Sequence, residues 1–251
     1  MKAAERHLKI REILSSAEFV DSATLRAWLK ASEATIRRDL ESLEAQGILR
    51  RVHGGAVSVR PHDDLLDFAS LHSRFGEEKA RIGKAAAALV EDGQTVILDG
   101  GSTVAEVARH IAGRRLQVIT NSLPIAHVLS DSRTCDLTLT GGHLYPRLGV
   151  MVGPLCEQML RSVGADLLIM GTGGVTETGL SNSNPLVVGS ERAMIDVSRR
   201  VVVVTDPSKF GRQAMVPVAS LEEVDVLVST EGLAPQHRVL LQRAGVELIV
   251  A

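Results

Sequence analysis

The chain has 251 residues, of which 45% are hydrophobic, 23% charged and only 2% aromatic. That places it among ordinary soluble globular proteins; the length allows one large core or two domains, and no apolar run approaches the roughly 20 residues of a membrane span. The net charge of −2 hides an asymmetry: residues 1–60 hold eleven Lys/Arg against eight Asp/Glu, and the remainder holds seventeen against twenty-two. A basic head ahead of an acidic body suits a small DNA-binding module attached to something else.

The N-terminus is polar and has no signal-peptide apolar region behind it, so the expected compartment is the cytoplasm. Leu8, Ile10, Ile13 and Leu14 recur at helical spacing and predict a first helix. Leu25, Trp28 and Leu29 predict a second, capped by Asp21 or Ser22, with Trp28 packed between helices. A break at Lys30-Ala31 leads to Ser32, which caps a third helix running to about Gln46, with Gly47 as its stop. His53-Gly54-Gly55 lies between two short extended stretches and predicts a hairpin, or wing.

On the third helix, Ile36, Leu40 and Leu43 share one face, opposite Ala34, Arg38 and Glu41, with Thr35 and Arg37 on the flanks. In a helix-turn-helix the N-terminal part of the second helix of the pair meets base edges in the major groove. Guanidinium groups there can read guanine or bind phosphate. Asp39 would be repelled by phosphate and is expected to orient an arginine. The candidate DNA-binding set is Ser32, Ala34, Thr35, Arg37, Arg38, Arg50, Arg51 and His53.

Residues 61–75, opening with Pro61 and holding Asp63, Asp64 and Asp67, read as a linker between a DNA-binding domain at 1–60 and a domain at 76–251. From 76 onward strands alternate with helices. Strands are predicted at 95–98, 116–120, 137–140, 167–170, 201–205, 226–228 and 246–250, and helices near 77–91, 103–112, 122–131, 154–163, 189–198 and 235–244. This is an α/β pattern with a mainly parallel sheet.

Four small-residue loops follow strands: Asp99-Gly100-Gly101-Ser102-Thr103, Thr120-Asn121-Ser122, Gly141-Gly142, and Gly171-Thr172-Gly173-Gly174. Such loops let backbone N–H groups approach an anion. Lys209, after the 201–205 strand, brings an ammonium to the same sheet edge. The glycine spacing does not meet the dinucleotide fingerprint. Cys135 and Cys156 are isolated, without metal-ligand spacing, and are expected as buried thiols. No metal, cofactor or catalytic residue is expected.

Thr35-Ile-Arg-Arg-Asp-Leu40, Leu43-Glu44, Gly47 and Arg51-Val-His-Gly-Gly-Ala56 resemble the DNA-binding signature of the DeoR family of bacterial transcriptional regulators. Glu78-Lys79, Leu98-Asp-Gly-Gly-Ser-Thr103, Thr120-Asn-Ser122, Gly141-Gly142, Val152-Gly-Pro154 and Ser208-Lys-Phe-Gly211 resemble its C-terminal sensor domain. The resemblance implies a winged helix-turn-helix joined to a larger α/β sensor of ribose-5-phosphate-isomerase-like fold. It implies a homodimeric or homotetrameric repressor that binds operator DNA and is controlled by a phosphorylated sugar.

The effector residues assigned on these grounds are Asp99, Gly101, Ser102, Thr103, Asn121, Gly141, Gly142, Gly171 and Lys209. The alternative is a sugar-phosphate isomerase with an accessory DNA-binding module, in which Asp99 and Lys209 would act. Two stretches depart from the family pattern. Lys30-Ala31-Ser32 stands where Gly-Val-Ser is usual, and Lys30 could add a phosphate contact. Asn182–Val188 and Ser190-Glu191-Arg192 stand where many members carry Glu-Ala followed by a basic residue; Glu191 or Arg192 either reaches the pocket or forms a surface ion pair.

Overall fold

A computed structural model describes residues 3–16, 19–46, 48–52, 54–58 and 76–251. Gly47, His53 and the predicted linker at 61–75 lie outside the described residues. The chain divides into two compact units, Met1–Asp67 and Phe68–Ala251.

The first unit holds α1 (Ala3–Ser16), β1 (Phe19–Asp21), α2 (Ser22–Leu29), α3 (Glu33–Ala45), β2 (Leu49–Val52) and β3 (Gly55–Ser58). The predicted wing is the antiparallel β2–β3 pair, and β1, which the sequence pattern did not suggest, joins its open edge through β3. Ile10, Leu14, Leu25, Leu29, Ile36, Leu40, Leu43 and Leu49 form the core. Asp21 caps α2 by accepting the Thr24 N–H at 2.8 Å and its hydroxyl at 2.6 Å.

One expectation fails here: Trp28 is 63% exposed. The α2 core stripe is Leu25 and Leu29, four apart on one face; Trp28 lies one residue, about 100°, off it and cannot enter the same narrow core.

The turn before α3 turns on Lys30, which ends α2 at φ 48°, the only non-glycine with positive φ among the described residues. That conformation favours glycine, because a Cβ crowds the neighbouring carbonyl. The sequence departure at Lys30 therefore falls on the one position of the turn where a side chain is strained.

The second unit is built on a seven-stranded sheet in the order β15-β14-β12-β9-β4-β5-β6, with every pairing parallel. Its strands are β4 (Thr95–Leu98), β5 (Leu116–Thr120), β6 (Cys135–Leu139), β9 (Leu167–Met170), β12 (Val201–Val204), β14 (Val226–Ser229) and β15 (Glu247–Val250). All seven are at or within a few residues of the predicted positions. Alternate residues enter opposite cores: Ile97, Leu168 and Val203 one, Leu98, Ile169 and Val204 the other. A run such as Val201–Val204 is thus buried on both faces, as parallel strands under two helix layers require.

The helices α4 (Gly76–Ala87), α5 (Ser102–Ile111) and α6 (Leu123–Leu129) supply residues to the second of these cores. The helices α7 (Pro154–Arg161), α8 (Pro185–Asp196) and α9 (Pro235–Arg243) supply residues to the first. Helix α8 starts earlier than predicted because Asn184 caps it, accepting from Leu186 N–H at 2.9 Å, with Pro185 at its first position.

Two small antiparallel elements were not predicted. They are the hairpin β7 (His143–Tyr145) with β8 (Val150–Val152), and a sheet of β10 (Gly174–Thr176), β11 (Gly179–Asn182) and β13 (Val216–Ala219). The Gly171–Gly174 loop accordingly leads into a strand rather than a helix. Cys156 is buried as expected, but Cys135 is only partly so. No described helix is long and apolar enough to cross a membrane.

Candidate functional site

In the first unit, α3 buries Ile36, Leu40 and Leu43 and presents Ala34, Arg37, Arg38 and Glu41 to solvent. Ser32 serves as its N-cap: its Oγ accepts the Thr35 N–H at 3.2 Å and lies 2.8 Å from the Thr35 hydroxyl. Both hydroxyls therefore begin the helix before they can serve anything else.

The arginines divide into held and unheld groups. Arg51 Nε lies 2.6 Å from Glu44 and its Nη1 2.9 Å from Glu41. The Glu44 carboxyl sits below its usual range because it accepts the Arg51 backbone N–H and side chain. Arg37 pairs with Glu41 at 3.6 Å. Arg38 on α3 and Arg50 on β2 are exposed, and no described residue pairs with either. Asp39 does hold an arginine, but it is Arg6 of α1: Arg6 Nε and Nη2 reach it at 2.7 and 3.1 Å, and His7 Nε2 at 3.1 Å. This pairing ties the recognition helix to α1. Spacing along α3 cannot reveal a partner more than thirty residues away.

In the second unit the strand order reverses between β4 and β9. The chain runs β4, β5, β6 to one side and β9, β12, β14, β15 to the other. Ligands of open α/β sheets bind at such a switch point, outside the carboxyl ends of the strands. The assigned effector residues all follow five adjacent strands at that edge. Lys209 follows β12, Gly171 β9, Asp99 to Thr103 β4, Asn121 β5, and Gly141 and Gly142 β6. Strands lie about 4.8 Å apart, so β12 and β6 stand roughly 19 Å apart. A small ligand at the centre meets the β9, β4 and β5 loops; Gly141, Gly142 and Lys209 flank it.

At the centre, Gly101 has φ 152° and α5 begins with no side-chain cap. The Ser102 and Thr103 hydroxyls have no hydrogen-bond partner among the described residues. Free N–H groups and two hydroxyls at a helix N-terminus make an anion cradle. Gly142, by contrast, is explained by packing: a Cβ there would stand 2.8 Å from the Val152 carbonyl and 3.1 Å from Cys156 Cβ. Lys209 is half-buried in the 3-10 turn Pro207–Lys209, beside buried Asp206, which caps that turn.

Asp99 is 2% exposed, and burial pushes its carboxyl up to about 7, offset in part by the backbone N–H groups of Gly100 and Gly171. Glu191 of α8, left outside the assigned site, is 1% exposed. Its Oε1 accepts from Asn182 Nδ2 at 2.6 Å, and its Oε2 has no partner. Burial and the neighbouring Asp99 push its carboxyl well up. Arg192, next in sequence, turns away to Glu223 at 2.7 Å and Asp196 at 3.6 Å. Of the two alternatives for this segment, Glu191 lies beside Asp99 and Arg192 forms the surface ion pairs. Asn121 is fully buried; its Nδ2 donates to Met151 O at 3.1 Å while its Oδ1 has no partner.

A wing and a recognition helix, with Arg38 and Arg50 exposed and unpaired among the described residues, and a separate α/β unit define a DNA-binding protein with a second domain attached. A DeoR-like helix-turn-helix domain matches residues 6–62, and the DeoR C-terminal sensor domain matches residues 74–231. The chain belongs to the DeoR family of transcriptional regulators. It is 37% identical over 231 residues to the transcriptional repressor AccR of Agrobacterium fabrum, covering 91% of this chain and 90% of that protein. It is 32% identical over 250 residues to the HTH-type transcriptional repressor GlcR of Bacillus subtilis, covering 100% and 97%.

Among solved structures it is similar to ribose 5-phosphate isomerase A of Methanocaldococcus jannaschii, with TM-score 0.41 and 20% identity over 54% of each chain. The protein is a DNA-binding transcriptional regulator and not an enzyme. The isomerase alternative is set aside.

Proposed function

We propose that the protein is a cytoplasmic repressor of a carbohydrate-metabolism operon, released from or recruited to its operator by a phosphorylated sugar. Arg38 and Arg50 supply direct contacts to DNA, with Arg37 beside them. Ser32 and Thr35 shape the start of the recognition helix, and Ala34 leaves room for close approach to the groove. Arg51 reaches phosphate by leaving Glu41 and Glu44, and Lys30 adds a cation at the turn. His53, between β2 and β3 in the sequence, completes the set. Operators of repeated half-sites call for a homodimer or homotetramer.

In the sensor, the phosphate meets the start of α5 at Gly101, Ser102 and Thr103. Asp99, Asn121 and Gly171 line the sugar; Gly141 and Gly142 wall one side and Lys209 reaches in from the other. The observation that carries this reading is the uncapped α5 N-terminus at the sheet switch point. The test is a thermal-shift screen of the full chain against sugar phosphates and their unphosphorylated counterparts. A ligand at 100 times its Kd stabilises the state it binds by about 2.7 kcal/mol. The reading expects a shift from phosphorylated sugars alone; equal shifts from the free sugars contradict it.

A further inference from the structure

Asp99 and Glu191 are two neighbouring carboxyls, each almost wholly buried. No lysine, arginine or histidine pairs with either among the described residues. Buried acids ordinarily have a cation partner, because desolvation of an unpaired carboxylate is costly. Here the partners are backbone N–H groups on Asp99 and one Asn182 amide on Glu191. Glu191 Oε2 has nothing.

An independent orphan lies at the next strand end. Asn121 directly follows Thr120, which pairs with Leu98, so Asn121 stands across from Asp99. Its Oδ1 is buried without a donor. Around Asp99, Glu191 and Asn121 the edge thus offers acceptor oxygens and carboxyl groups with no cation paired to them among the described residues, whereas its donors lie at the start of α5. No group of three or more His, Cys, Asp and Glu side chains that could hold a metal occurs among the described residues. A neutral hydroxyl would supply a donor but not the charge. An ammonium supplies both.

We propose that Asp99, Glu191 and Asn121 form a cation-accepting half of the effector site, so that the effector is a zwitterion: a sugar phosphate bearing an ammonium group. The inference rests on the phosphate reading above, which places the anion on α5 directly after Asp99. The effector's two charges then meet opposite charges at neighbouring points of one sheet edge. Without ligand, the carboxyl pair retains a proton near neutral pH. The arriving ammonium takes its place, and that proton passes to the buffer.

The test is calorimetry on the full chain at pH 7, in two buffers of different ionisation enthalpy. The probes are glucosamine 6-phosphate and galactosamine 6-phosphate, their hydroxyl counterparts glucose 6-phosphate and galactose 6-phosphate, and inorganic phosphate. At least one amino sugar phosphate is expected to bind about tenfold or more tightly than its counterpart, with proton release. In Glu191→Gln that preference falls to twofold or less and the released proton is lost. The thermal midpoint of the unliganded variant does not fall, which separates this role from a structural one. Binding of phosphate or hydroxyl sugar phosphates without an amine preference overturns the inference and leaves the phosphate reading standing. Failure of every probe, inorganic phosphate included, overturns both.

Discussion

Both units bury acidic side chains, and they settle the charge in opposite ways. Asp39 of the DNA-binding unit is gripped by Arg6 and His7. Asp99 and Glu191 of the sensor have no cation among the described residues. A buried acid with its partner in place is a fastener; here it fixes the recognition helix to α1. A buried acid without one is held at a cost in stability, and a ligand can relieve that cost. The contrast separates a part that must keep one shape from a part built to respond.

The contrast has a sign that pH exposes. Asp99 is raised in the folded state to about 7, and Glu191 is raised as well. Their contribution to stability is full below the unfolded carboxyl value near 4 and is lost as pH rises through the folded value. For Asp99 the rise to about 7 corresponds to roughly 4 kcal/mol, lost between about pH 4 and pH 8. The Asp21 and Glu44 carboxyls of the DNA-binding unit are lowered by hydrogen bonds from Thr24 and Arg51. Their contribution is present at neutral pH and lost on acidification below about pH 4. Calorimetric unfolding scans should show the sensor's transition falling as pH rises from 5 to 8, with Asp99→Asn removing most of that slope. A sensor transition as steep in the variant as in the parent breaks the comparison.

The next effect in size concerns the arginines. Replacing Arg38 by alanine should weaken operator binding by about 1–3 kcal/mol at fixed salt and relax sequence preference, as loss of a base contact does. Arg51→Ala should weaken binding less, because its guanidinium is already engaged by Glu41 and Glu44. Fluorescence anisotropy with an operator selected from random DNA measures both; the reverse order would mean that freeing Arg51 from Glu41 and Glu44 costs little.

The smallest effect sits at the turn. Lys30→Gly should stabilise the DNA-binding unit by roughly 0.5–1 kcal/mol, by relieving the left-handed strain at φ 48°. Its own melting transition reports this, and a drop in stability would show that the Lys30 side chain contributes more than the strain costs.

Much of this was legible in the sequence, for a physical reason. Parallel strands such as Leu167–Met170 and Val201–Val204 are buried on both faces, so they appear as unbroken apolar runs. The amphipathic stripe of α3 and the wing glycines are equally local signals. The β7–β8 hairpin and β10, β11 and β13 were missed because none carries an unbroken apolar run of four: β8 is only three residues long, and the others mix in glycine, proline or polar residues. Trp28 was placed by its size, whereas the stripe set by Leu25 and Leu29 decided its position. The partners of Asp39 and the meeting of Glu191 with Asp99 are products of packing between distant segments. Only the unusual Ser190-Glu191-Arg192 run hinted at the second.

The central claim is that an anion at the start of α5 controls DNA binding. Thr103→Glu tests it most directly. An acid in the first turn of a helix is compatible with its dipole, so the fold is kept, but the charge repels an incoming phosphate. The measurement is operator affinity by anisotropy, with and without the sugar phosphate that shifts the parent protein's melting. The account predicts a variant that binds operator as the parent does and no longer responds to that ligand. A variant whose operator affinity still changes with the ligand as the parent's does would contradict it.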